Sequence, residues 1–184
     1  MSKPTPAVPE RSLVAIDTNV LIWVTRGVAR TTRLHDPHTR ELERRAKILV
    51  GQLNDAKATV VVPTIVVAEF LSVPDVGLRH IFDVFAQQGT FLCPSFDLPA
   101  SEFAAGMWRK HKTKPRAADP QPRPVLRVDM MIVATAKIAG AQYFYTADSR
   151  CRELANLAGM TARDLPEHSD RPLLDKLEDA DDKT

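Results

Sequence analysis

Asp17, Glu69, Asp129 and Asp148 lie far apart in the 184-residue chain, yet each falls where a folded α/β domain would bring it to one edge. Asp17 directly follows the apolar run Leu13–Ile16, and Asp148 comes two residues after an aromatic run ending near Thr146. Asp129 reads as a first-turn residue of a helix over 128–139. Glu69 is the least ordinary, because Val66, Phe70 and Val73 are its neighbours three and four positions away on a helix. Such spacing turns the carboxylate inward, where an unpaired charge is costly. A divalent cation offsets that cost best, and it also lowers the pKa of a bound water and polarises a substrate oxygen.

Each acid taken singly has an ordinary structural explanation. Asp17 in Asp-Thr-Asn could cap a helix, Asp129 could complement a helix dipole, and Asp148 could be a turn residue. Glu69 could pair with an arginine or reach outward to water. Four acids at strand ends or on inward faces together favour a metal cluster. The oxygen-only donor set, with no clustered His or Cys, argues against zinc.

The elements that must position these acids alternate. Strands are expected at 13–16, 58–62, 90–93 and 143–146, with a short one at 160–163. Helices are expected just after Asp17, over 38–53, from Pro63 to about Val73, and over 76–88, 98–111, 128–139 and 149–157. Residues 26–37 show no period and read as loop. Pro115, Pro120, Pro122 and Pro124 argue against regular structure between the helices on either side of them. Strands alternating with helices imply crossover connections, a mainly parallel sheet and a three-layer α/β/α sandwich. In such sheets ligands bind outside the carboxyl ends of the strands, the edge these acids share. The expected organisation is a disordered N-terminal tail over 1–12, one domain over 13–165 and an acidic C-terminal tail over 166–184.

Four segments carry a family resemblance: VAIDTNVLIW, VPTIVVAEFLS, RVDMMIVATAKIAG and YFYTADSR. In order and local context they resemble the PIN-domain nucleases, and chains of this size look like VapC-type toxins of toxin–antitoxin pairs. The resemblance implies that Asp17, Glu69, Asp129 and Asp148 form the active site, with Thr18, Asn19 and Thr146 as supporting polar groups. It implies an endoribonuclease that hydrolyses phosphodiester bonds with Mg²⁺ or Mn²⁺. Asp17 and Asp129 would be the primary ligands of one or two ions. It further implies a structured RNA substrate, an antitoxin protein and a homodimer. The chain is longer than small PIN toxins around 26–57 and 109–127, which leaves a PIN nuclease of RNA processing as the alternative.

Charge distribution fits a polyanionic partner better than the overall net charge of +2 suggests. Residues 109–127 hold seven basic side chains against the single acid Asp119, a local net charge of +6. Arg109, Lys110, Lys112, Lys114, Arg116 and Arg127 are therefore the candidate RNA contacts. Trp108 could stack a base, though its spacing suits a core aromatic as well. Residues 164–184 carry a net charge of −5 and read as a solvated tail. Cys93 and Cys151 form neither a disulfide framework nor a zinc spacing. With no secretory signal and no apolar run long enough to span a bilayer, a cytoplasmic protein without membrane association is expected.

Two other classes compete. A phosphatase of the haloacid dehalogenase type also places an Asp after its first strand, but needs a second Asp two residues on, where this chain has Asn19. No Gly-rich phosphate loop supports a nucleotide-binding fold. A non-catalytic RNA- or partner-binding module would have no reason to bind Mn²⁺ at this edge.

Overall fold

A strand buried on both faces must be apolar at every position, and Leu13–Ile16 (β1) is. Val14, Ala15 and Ile16 are at most 1% exposed. The computed structural model describes residues 8–26, 36–73, 91–112 and 123–167. Among them β1 is followed by α1 (Thr18–Arg26), α2 (Pro37–Asp55), β2 (Thr59–Val61), α3 (Thr64–Leu71) and β3 (Phe91–Leu92). Then come α4 (Leu98–Lys112), α5 (Arg123–Ile138), β4 (Tyr143–Tyr145), α6 (Ser149–Leu157) and β5 (Thr161–Arg163).

The five strands form one sheet in the order β3-β2-β1-β4-β5, and every pairing is parallel. Ile16 stands opposite Tyr145, so Asp17 and Thr146, the next residue of each strand, leave the sheet side by side. Succession runs outward from β1 in both directions, so right-handed crossovers cover both faces with helices. This is the expected three-layer, parallel α/β/α arrangement. The core runs from Val14 and Val60 to Phe70, Leu126, Val133, Phe144 and Leu154. α1 packs on α2 and α3, α4 lies along α5, and α5 touches both α6 and α3. The last of these contacts brings the helix of Glu69 to the helix of Asp129.

Several boundaries differ from the sequence reading. α5 begins at Arg123, not at Val128, because Pro124 sits on its first turn, where a missing N–H breaks no intrahelical bond. Asp129 is therefore a second-turn residue, beyond the range of helix-end complementation. Pro63 precedes α3 as its N-cap instead of starting it. α2 starts at Pro37 because the Asp36 side chain accepts from His38 N at 3.0 Å and Thr39 N at 3.1 Å. Residues 8–12 already pack ahead of β1: Val8 joins the core, and Arg11 N donates to Ala56 O at 2.8 Å. The helix expected over 76–88 lies outside the described residues, as do residues 1–7 and 168–184 of the two expected tails.

Candidate active site

The strand order reverses direction between β1 and β4, and a crevice opens at such a switch point, outside the carboxyl ends of the strands. Asp17 and Thr146 flank it. Asp17 is 6% exposed. Its Oδ1 accepts from Val20 N at 2.8 Å, and its carbonyl accepts from Leu21 N at 3.2 Å. The ordinary explanation for Asp17, a helix cap, is therefore correct as far as it goes. The second oxygen does something else: Thr146 Oγ1, itself fully buried, donates to Oδ2 across the switch point.

The Thr146 hydroxyl also accepts from Asp148 N at 3.0 Å. Asp148 caps α6, with Oδ1 accepting from Arg150 N at 2.7 Å and Cys151 N at 3.0 Å. Those bonds engage one oxygen of the carboxylate, Oδ1. The loop beneath is pinned by Arg152, whose guanidinium donates to Thr146 O and Ala147 O at 3.1 and 3.4 Å and pairs with Asp164 at 2.9 Å.

Glu69 rises from α3 between the buried Val66 and Phe70 and is itself half-buried. Its Oε2 accepts from Thr18 Oγ1, on the first turn of α1. No arginine among the described residues pairs with it. Thr18 and Thr146 are thus hydroxyl donors to two different acids. Asn19 is exposed and joins none of these bonds among the described residues.

The four acids share one electrostatic field. Burial raises the carboxyl pKa of Asp17 to about 6, the Thr146 and Val20 hydrogen bonds oppose that rise, and Asp148 and Glu69 add to it. Burial likewise pushes Asp129 up to about 6, reinforced by Asp148, Glu69 and Asp17 and only partly relieved by Arg150. Perturbed carboxylates gathered in one crevice mark a functional site more often than a structural one. Two residues not anticipated from sequence belong to this neighbourhood. Arg150 is the cation that Asp129 feels. Cys151 is buried under the cluster, where burial first and then all four carboxylates push its thiol pKa up. Their signal was positional: both sit in the first turn of a helix that Asp148 begins.

Among the described residues, no three His, Cys, Asp or Glu side chains stand close enough to hold a metal ion unaided. The donor set fits an ion of another kind. Mg²⁺ retains several waters and is held by one or two carboxylates together with substrate phosphates, not in an all-protein cage. Hard carboxylate oxygens that repel one another, only partly offset by Arg150, suit that mode of binding.

Of the basic candidates, Arg109 and Lys110 are exposed near the end of α4. Arg127 on α5 stacks on Trp108 of α4, its guanidinium carbon 4.8 Å from the ring centroid. Trp108 itself packs half-buried against the core. Lys112, Lys114 and Arg116 have no described side chains.

The PIN domain family model matches residues 14–157. No curated protein matches this chain. Solved structures that resemble it in fold include two VapBC complexes. One is VapBC2 from Rickettsia felis, bound to a DNA fragment from its promoter. It is 12% identical, covers 83% of this chain and 98% of its own, and gives a TM-score of 0.50. The other is DNA-bound VapBC from Salmonella typhimurium, with 17% identity, coverage of 84% and 98%, and a TM-score of 0.51. No helix among the described residues is long and apolar enough to cross a membrane.

Proposed function

This chain belongs to the PIN domain family, and on that premise we propose that it is a divalent-cation-dependent endoribonuclease, the toxin of a toxin–antitoxin pair. What carries the reading is the mutual repulsion of Asp17, Glu69, Asp129 and Asp148 at the sheet's switch point. Asp17 and Asp129 are the primary ligands for Mg²⁺ or Mn²⁺, and Glu69 and Asp148 complete the site or orient the attacking water. A cation bound there supplies the field that activates water and stabilises charge on the phosphate.

The chain's own groups do the rest. Thr146 holds Asp17 from one side and the Asp148 amide from the other, so both carboxylates keep their aim as substrate arrives. Thr18 does the same for Glu69. Arg127, its guanidinium over the Trp108 ring, is a donor that a phosphate could take up. The basic candidates Arg109, Lys110, Lys112, Lys114 and Arg116 would add phosphate contacts to a structured RNA by their charge. No side chain is needed as a covalent nucleophile.

The Rickettsia felis and Salmonella typhimurium structures of similar fold are VapBC complexes, which supports an antitoxin partner. Family resemblance also includes a homodimer. The test is cleavage of structured RNA and of DNA in Mg²⁺ or Mn²⁺ by the wild type and by folded Asp17→Asn and Asp129→Asn. RNA cleavage by the wild type alone is the expected result. Equal cleavage by either variant would remove the carboxylates from the chemistry, and cleavage of DNA alone would replace the substrate.

A further inference from the structure

Asp164, the residue directly after β5, is not one of the four clustered acids, yet two arginines converge on it. Arg45 of α2 reaches its Oδ1 at 3.1 Å, and Arg152 of α6 reaches its Oδ2 at 2.9 Å. α2 belongs to the β1–β2 crossover and α6 to the β4–β5 crossover, which leave the middle of the sheet in opposite directions. Right-handed connections put those helices on opposite faces, so Asp164 joins them around the β5 edge. Neither arginine serves Asp164 alone. Arg45, with its side chain 16% exposed, also donates to the carbonyls of Leu165 and Pro166. Arg152 also donates to the carbonyls of Thr146 and Ala147, the two residues before Asp148. The end of β5 holds that loop a second time, because Arg163 O accepts from Thr146 N at 3.1 Å.

We infer that Asp164 is a positioning residue of the active site, acting through Arg152 on the loop that carries Thr146 and Asp148. An arginine side chain without an anchor moves among many rotamers. With Asp164 secured from its far side by Arg45, the Arg152 guanidinium is kept on the two loop carbonyls. Thr146 thereby keeps the orientation in which its hydroxyl serves both Asp17 and the Asp148 amide. Asp164 is 46% exposed, and a pair that open to water adds little to stability. Its loss should therefore be felt in the site more than in the melting temperature.

The inference deepens the proposed function and rests on its cation site, so two measurements on the full chain keep the two apart. They are calorimetric titration with Mn²⁺ and amide hydrogen exchange in EDTA. Asp164→Asn keeps an acceptor for Leu165 N and loses only the charge. Its Kd for Mn²⁺ should rise about three- to tenfold, less than for a ligand's direct partner because Arg152 intervenes. Exchange at the Asp148 amide should quicken while Val14 and Ala15 of β1 keep their wild-type rates. Asp164→Glu restores the charge and should recover both properties. Asp164→Asn combined with Arg152→Met should bind Mn²⁺ no more weakly than Arg152→Met alone, since both act along one path. Additive losses, or a lowered melting temperature with Mn²⁺ affinity and Asp148 exchange unchanged, would make Asp164 a fastening of the chain end and overturn the inference. A wild type that binds no Mn²⁺ refutes the cation site instead, and Asp148 exchange in EDTA then decides the role of Asp164 by itself.

Discussion

Asp129→Asn should make the cation-free protein more stable at pH 7.5. The Asp129 carboxylate accepts no hydrogen bond among the described residues, so an amide of the same shape gives up no donor contact. What it gives up is a charge opposed by burial and by Asp148, Glu69 and Asp17, which together push the group from 3.8 to about 6. A rise of that size corresponds to about 3 kcal/mol. Water reaching a half-buried carboxylate screens part of this, leaving about 1–2 kcal/mol. Because the folded pKa lies above the unfolded one, protonation favours the fold. The protonated group's contribution is complete below about pH 4 and is lost as pH rises through about 6.

The amide escapes that loss, so for a chain of this length its melting temperature should exceed the wild type's by about 2–8 °C. Differential scanning calorimetry in EDTA reads the difference directly. At pH 4 the gap should shrink, since Asp129 is then neutral in the folded wild type and close to half protonated in the unfolded chain. Saturating Mn²⁺ should reverse the order at pH 7.5, because a ligand held at a hundred times its Kd adds about 2.7 kcal/mol to the protein that binds it. Two results would sink the reasoning: a variant that melts below the wild type at pH 7.5 in EDTA, or a gain of the same size at pH 4.

Thr146→Val strips one hydroxyl from both Asp17 and the Asp148 amide, and leaving those buried groups unpaired should cost about 1–3 kcal/mol in urea unfolding. An unchanged unfolding midpoint would deny the hydroxyl its bridging role. At limiting Mn²⁺, RNA cleavage should rise as pH passes through about 6, where Asp17 and Asp129 ionise. Because protons and cation compete for the same oxygens, more Mn²⁺ should move that midpoint to lower pH, and a midpoint independent of Mn²⁺ would count against the assignment. Arg152→Met should speed hydrogen exchange at the Asp148 amide, because the carbonyls of Thr146 and Ala147 lose their anchor. Unaltered exchange there would make Arg152 a surface ion pair and nothing more.

Legibility of the fold depended on how many signals agreed at each element. Leu13–Ile16 followed by a capping Asp specifies strand and helix at once, and the structure keeps those limits. The segment around Tyr143 behaves alike. Where prolines cluster the pattern fails, because one residue type marks helix starts as well as interruptions. From sequence Pro124 reads as a break, although it lies in the first turn of α5. That displaced Asp129 by a turn and supported a dipole role it does not have. Strand order is a property of long-range pairing and leaves no local trace.

For the candidate site, residue types told which acids matter and geometry told how each is held. A buried hydroxyl serving Asp17 and Asp148 together depends on the register of β1 against β4, which no window of sequence contains. Arg150 and Cys151 stayed hidden for a simpler reason: in a charged, amphipathic helix one arginine and one cysteine look unremarkable until the cluster beside them is known. Asn19 shows the opposite error. Its place in Asp-Thr-Asn suggested a supporting role, while α1 turns its side chain to solvent.

The position of β1 at the middle of the sheet, with β4 as its neighbour, bears on how this molecule comes apart. Peripheral strands fray first and inner ones exchange their amides only through global opening. Here β3 has two residues and β5 three, whereas Val14 and Ala15 are bounded by strands on both sides and by helices above and below. Heat or denaturant that peels the borders would leave the crevice standing until the whole domain is lost. Control short of complete melting would have to come from outside, by covering the mouth of the crevice.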